Sequence, residues 1–177
     1  MKEALKSFFL VLVFMVSHSF AQTEDVASTP RLGWVTIGGG VGGAPKFAGM
    51  AVGATASYYN EAGLFSLRLA GVGKLTLQPT QPQVETQSVV DLSGMYGFSY
   101  KRSLLFLAAS SGLGFVWVTE NGPTGEKRST TIGVPLELQA FMTPLRVLGL
   151  GVTISANINA KQSYASAMIC MQFGKVK

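Results

Sequence analysis

The sequence predicts an all-β chain: an eight-stranded antiparallel up-and-down transmembrane β-barrel. Three observations carry that expectation. From Arg31 onward, apolar and polar residues alternate with period 2 in segments separated by turn chemistry. The apolar row of each segment is free of charge. Finally, only 13% of the 177 residues are charged while 47% are hydrophobic, with 21 glycines. A water-facing domain of this size carries more charge on its surface; one solvated by lipid need not.

The first segment stands apart from the fold. Lys2 and Lys6 give a basic start, Phe8 to Val16 is an unbroken apolar run, and Ser19 and Ala21 are small residues at signal-peptidase spacing. Residues 1–21 are expected to be a secretory signal peptide cleaved after Ala21. The run is too short for an anchor helix, which needs roughly 20 apolar residues. Residues 22–30 read as a disordered polar tail, and residues 31–177 as the barrel.

Strand 1, about Gly33 to Gly42, is glycine-rich, and Trp34 falls on the wrong parity for a lipid-facing anchor, which suggests a bulge or end effect there. In strand 2, Met50, Val52, Ala54, Ala56 and Tyr58 oppose Gly49, Gly53, Thr55 and Ser57. Strand 3 is the clearest: Phe65, Leu67, Leu69, Gly71, Gly73, Leu75 and Leu77 oppose Ser66, Arg68, Ala70, Val72, Lys74 and Thr76. Both cations share one face, where a helix would scatter them. In strand 4, Val90, Leu92, Tyr96, Phe98 and Tyr100 oppose Asp91, Ser93 and Ser99.

Strand 5, about Leu104 to Thr119, is apolar on both faces; Leu105, Leu107, Leu113, Phe115 and Trp117 are assigned to the lipid. Strand 6 sets Ile132, Val134, Leu136, Leu138 and Met142 against Thr131, Glu137 and Gln139, with Pro135 removing a ladder donor, so a bulge is expected there. Strand 7 sets Leu148, Leu150, Val152, Ile154 and Ile158 against Thr153, Ser155, Asn157 and Asn159. Strand 8 sets Ala165, Ala167, Ile169, Met171 and Phe173 against Ser166, Cys170 and Gln172. A cation facing lipid at the midplane costs roughly 2–4 kcal/mol, which accounts for the charge-free rows. A soluble sandwich does the reverse and faces Lys and Glu outward.

The connections agree. With the N-terminus in the periplasm, Asn60–Gly63, Lys101–Ser103 and Thr143–Arg146 are short periplasmic turns. Gly43–Lys46 and Ala160–Gln162 are short outer loops, and Gln78–Gln87 and Glu120–Arg128 are long ones. Tyr58, Phe65, Tyr96, Phe98, Tyr100 and Phe173 fall toward the periplasmic strand ends, and Phe115 and Trp117 toward the outer end, as an aromatic girdle requires.

On these rows, and on the glycine-rich Trp34-Val35-Thr36-Ile37-Gly38-Gly39-Gly40-Val41-Gly42-Gly43, the chain resembles the small eight-stranded outer-membrane β-barrel family, the OmpA/OmpX-like barrels, and especially those of Bacteroidetes-type bacteria. The resemblance is architectural and covers Arg31 to Lys177. It implies residence in the outer membrane after secretion through the inner membrane. Such proteins often end on an aromatic residue; here Phe173 is followed by Gly174, Lys175, Val176 and Lys177.

Candidate chemistry is sparse. Gly38 to Gly43 matches GxGxxG, but a dinucleotide site needs a following helix and Phe47 to Tyr59 has period 2. The only histidine is His18, inside the signal peptide, which excludes Ser–His and Cys–His nucleophiles and His-built metal sites from the mature chain. The histidine-dependent lipid A deacylases and palmitoyltransferases of this size class therefore lend it no chemistry. Cys170 is the only cysteine, read as a buried inert thiol. The net charge of +5 is scattered, with no nucleic-acid footprint.

Arg68, Lys74, Asp91 and Glu137 are the interior charges. Either they line a polar path or ligand site, or they pair with one another, which the narrow lumen of an eight-stranded barrel favours. Strand direction predicts Lys74–Asp91 and Arg68–Glu137 contacts. The sequence thus predicts a monomeric, non-enzymatic barrel without cofactor or metal. Its interior is filled, its partner is the lipid bilayer, and any surface ligand meets loops 78–87 and 120–128. The alternatives are a narrow porin-like channel or small-solute carrier, with Thr153, Ser155, Asn157 and Asn159 along its lumen, and a soluble lipocalin-like barrel.

Overall fold

Alternation of side chains between two faces converts the sequence pattern directly into a closed sheet. The computed structural model describes residues 32–45, 47–60, 62–74, 87–122, 125–145 and 147–175. The expected signal peptide and tail, residues 75–77 at the end of strand 3, and nearly all of loop 78–87 lie outside them. Eight strands follow in order: β1 Leu32–Ala44, β2 Phe47–Asn60, β3 Gly63–Lys74, β4 Gln87–Arg102, β5 Leu105–Gly122, β6 Gly125–Leu145, β7 Leu148–Asn159 and β8 Tyr164–Lys175. Each pairs antiparallel with the next, and β8 returns to β1, with Gly33 opposite Lys175 and Gly43 opposite Ala165. Closure leaves no sheet edge.

Burial follows the period. Along β8, every residue from Tyr164 to Lys175 alternates between buried and exposed. The outward rows are bare apolar side chains, including Leu67, Leu92, Leu113, Ile132, Leu138, Ile154 and Ile169. The interior has three levels. At the end holding the start of β1, the end of β8 and the β2–β3 turn, Trp34, Leu64, Phe106 and Phe141 are buried, with Trp34 edge-on to Phe106 at 5.0 Å between centroids. At the opposite, loop end, Phe47, Val72, Val89, Val116 and Val118 are buried. Mainly polar side chains occupy the level between, with Met95 and Met168 buried among them.

Several local expectations change. Trp34 needs no bulge: both ladders of β1 run in unbroken register, and the indole simply faces inward. Pro135 makes no bulge either. It lies opposite Asn157 in a regular β6–β7 register, and the β5–β6 ladder skips Gly112–Leu113 without shifting. The register shift falls between Met142 and Leu145 instead, beside Pro144, where Thr143 N–H leaves the ladder and donates to Leu104 O at 2.8 Å. The segment 120–128 is a hairpin rather than a loop: Glu120 pairs with Lys127, Asn121 with Glu126 and Gly122 with Gly125. Opposite charges directly across strands support that extension, and an exposed Arg128–Glu126 ion pair at 2.5 Å accompanies it.

The short connections are built by side chains. Asn60 Oδ1 accepts from Ala62 N at 2.9 Å, and Ala62 O accepts from the Tyr96 hydroxyl. Asn159 Oδ1 accepts from the backbone N–H groups of Lys161 at 3.0 Å and Gln162 at 2.8 Å. These Asx-type bonds satisfy loop amides that the ladder releases.

Candidate functional site: a charged cluster across the lumen

The middle level holds the only candidate site that the described residues offer inside the barrel. Arg68 on β3 and Asp91 on β4 are 0% exposed, and Glu137 on β6 is 2% exposed. Arg68 Nη2 donates to Asp91 Oδ2 at 2.8 Å, while Nη1 donates to Leu136 O at 3.2 Å and lies 3.6 Å from Glu137 Oε2. Strands β3 and β6 are not neighbours in the sheet, so the guanidinium reaches across the lumen to a carboxylate on another wall.

Asp91 collects further donors from far around the ring. Ser93 Oγ donates to Oδ1 at 3.2 Å, Asn157 Nδ2 to Oδ2 at 3.0 Å, and the Tyr164 hydroxyl to Oδ2 at 2.5 Å. Asn157 lies on β7 and Tyr164 on β8. Glu137 accepts from Gln139 Nε2 at 2.6 Å and from Thr55 Oγ1 at 3.2 Å. One cation thus faces two carboxylates, a formal charge of −1, and neutral donors supply the rest of the stabilisation. Buried charge survives only when paired and hydrogen-bonded in this way.

Two glycines make room for these partners. A Cβ at Gly114 would stand 2.2 Å from Ser93 Oγ, and one at Gly133 would stand 2.0 Å from Asn157 Oδ1. The inward glycines of β5 and β6 are therefore part of the site's construction.

The expected Lys74–Asp91 contact is not formed. The β3–β4 register sets Asp91 opposite Ala70, one inward position beyond Arg68, and Arg68 takes the carboxylate, while Lys74 is exposed at the loop end of β3. The expected Arg68–Glu137 pair is present at 3.6 Å, but it is the longer of the two contacts Arg68 makes with carboxylates. Tyr164 and Asn157 were missed as members. The available signal was Tyr164's inward parity, which leaves a buried phenol in need of an acceptor. Ser155, on the inward row read as a pore lining, shares a 2.7 Å hydrogen bond with Ser166. Cys170 faces inward and is 2% exposed.

The outer aromatic residues Tyr58, Phe65, Tyr96, Phe98, Tyr100, Phe115, Trp117 and Phe173 are all exposed on the outward rows. Phe65 and Tyr96 meet edge to face at 5.2 Å.

Solved structures share this architecture. The crystal structure of Ail, the attachment invasion locus protein of Yersinia pestis, in complex with the heparin analogue sucrose octasulfate, superposes with a TM-score of 0.58 at 7% identity, over 82% of this chain and 99% of that one. Neisserial surface protein A (NspA) gives 0.59 at 8% identity, over 84% and 99%. The fold is that of the small eight-stranded outer-membrane β-barrels. The N-terminal β-barrel domain of Pseudomonas aeruginosa OprF gives 0.55 at 12% identity over 84% and 99%. No protein-family model and no curated protein matches the sequence.

Proposed function

We propose that the mature chain is a non-enzymatic outer-membrane barrel with a filled, non-conducting interior, acting as a structural or surface-contact protein. One observation carries this reading: Arg68 crosses the lumen to two carboxylates, and Tyr164 and Asn157 reach back to one of them. Apolar levels above and below that cluster, at Val116 and at Trp34, add to the obstruction. The interior of an eight-stranded barrel is just wide enough for side chains to fill it.

The outer-membrane address is supported by the apolar outward rows, which lipid solvates and water would not. Those rows also count against a lipocalin-like soluble barrel, which needs a polar exterior. Delivery would use residues 1–21 as the secretion signal. Contact with other molecules would fall to the β5–β6 hairpin and the 78–87 segment. The sulfated ligand of Ail makes Lys127 and Arg128, on that hairpin, the first residues to examine. The protein would work as a monomer.

Single-channel recording in planar bilayers tests the central point. The purified protein should insert without steady conductance. A reproducible open level would instead establish the narrow pore, with Thr153, Ser155, Asn157 and Asn159 along its wall.

A further inference from the structure

The outward face of the sheet carries a dent that the barrel itself does not use. Along β5 the outward row reads Leu105, Leu107, Ala109, Ser111, Leu113, Phe115, Trp117. Two small residues thus interrupt a bulky series. Tyr96 and Phe98 of β4 rise on one side of them, and Leu136 and Leu138 of β6 on the other. The result is a groove of about 670 Å³, predominantly apolar, with Ala109 and Ser111 as its floor. Phe98 is 70% exposed at its wall.

The same outward row of β4 continues from Tyr96 and Phe98 through Tyr100 to the exposed Arg102. Four residues of strand separate Phe98 from Arg102, about 13 Å. The apolar groove and a cation at the turn end therefore share one outward row, with Tyr100 between them. No acidic residue stands on that row.

We propose that this face binds one anionic glycerophospholipid of the leaflet at the turn end, with an acyl chain in the groove and the headgroup phosphate on Arg102. The occupant follows from the arrangement: the groove opens onto the band that faces hydrocarbon, and its foot is positive where a headgroup begins. The inference rests on the transmembrane reading. Insertion into vesicles reports on that reading, and the lipid count on this one.

The test is native mass spectrometry of the full mature protein, released from detergent micelles doped with palmitoyl-oleoyl-phosphatidylglycerol or palmitoyl-oleoyl-phosphatidylcholine. The wild type should retain one phosphatidylglycerol about five-fold more often than one phosphatidylcholine, equivalent to about 1 kcal/mol. Arg102→Gln should erase the preference. Ala109→Leu with Ser111→Leu, which fills the floor, should lower retention of both lipids about five-fold or more. Ala167→Leu, on the outward row of β8, should change neither. Added leucines on a lipid-facing row are compatible with folding, and heat-modifiable gel mobility verifies it; should the filled variant not fold, Arg102→Gln decides alone. Equal retention of the two lipids by the wild type, a preference that survives Arg102→Gln, unchanged counts in the folded filled variant, or a dimer that filling abolishes would each overturn the proposal.

Discussion

Replacing Arg68 with methionine removes the one cation from a buried site that keeps both its carboxylates. The structure sets the magnitude. The 2.8 Å bond to Asp91 is charge-assisted, contributing roughly 1.5–3 kcal/mol, and the 3.2 Å bond to Leu136 O contributes about 1 kcal/mol more. Glu137, 3.6 Å away, loses its only cation among the described residues. Asp91 retains Ser93, Asn157 and Tyr164 as donors, which limits the loss. Breaking a buried pair by deleting one partner costs about 3–5 kcal/mol, and a value of about 4 kcal/mol is expected here. With a urea slope of about 2 kcal/mol per molar, the unfolding midpoint falls by about 2 M. The assay is urea unfolding from lipid vesicles followed by tryptophan fluorescence, with Trp34 buried inside and Trp117 exposed outside as reporters. Adding Asp91→Asn and Glu137→Gln to Arg68→Met should recover most of the loss, because a neutral cluster of similar volume needs no cation. A midpoint shift under about 0.5 M for the single variant, or a triple variant no better than the single, would refute the reasoning.

Three further outcomes are expected. Gly133→Ala drives a Cβ into Asn157 Oδ1 and should destabilise by about 1–3 kcal/mol in the same urea assay, whereas Gly73→Ala, which meets nothing within 4 Å, should leave the midpoint in place. Ile154→Arg puts a cation on the outward row of β7 and should cost roughly 2–4 kcal/mol of folding free energy in vesicles; a neutral result would mean that this row does not face hydrocarbon. Cys170 should resist maleimide in the folded barrel and react fully in urea, since burial and not chemistry protects it; rapid labelling of the folded protein would show that the lumen is open there.

The sequence made the walls of this fold legible and left much of its interior hidden. Period 2 is a local property, so the outward rows of β2 to β8 and the inward placement of Arg68, Asp91 and Glu137 could be read strand by strand. Partnership across the lumen is not local. Asp91 is served from β3, β7 and β8 because those strands meet around a ring, and no spacing along the chain encodes that meeting. Matching Lys74 to Asp91 by height along adjacent strands ignored the register, which brings Arg68 closer. Trp34 looked anomalous only because strand 1 had so few bulky residues by which to define its faces. The 120–128 segment read as a loop because charge crowds it, yet Glu120 and Lys127 are complementary across a ladder, with Gly122 and Gly125 as the closing pair.

The pairing of β8 with β1 joins the first and last strands of the barrel. Until β8 pairs with β1, the sheet is an unsealed ribbon with two sticky borders, and nothing short of the final strand can cover them. A chain truncated before β8 is thus not a slightly weaker cylinder but an aggregation-prone sheet. The seam is also intolerant of bulk: a Cβ at Gly38 would lie 2.1 Å from Cys170 Sγ. A larger residue there would wedge the two seam strands apart.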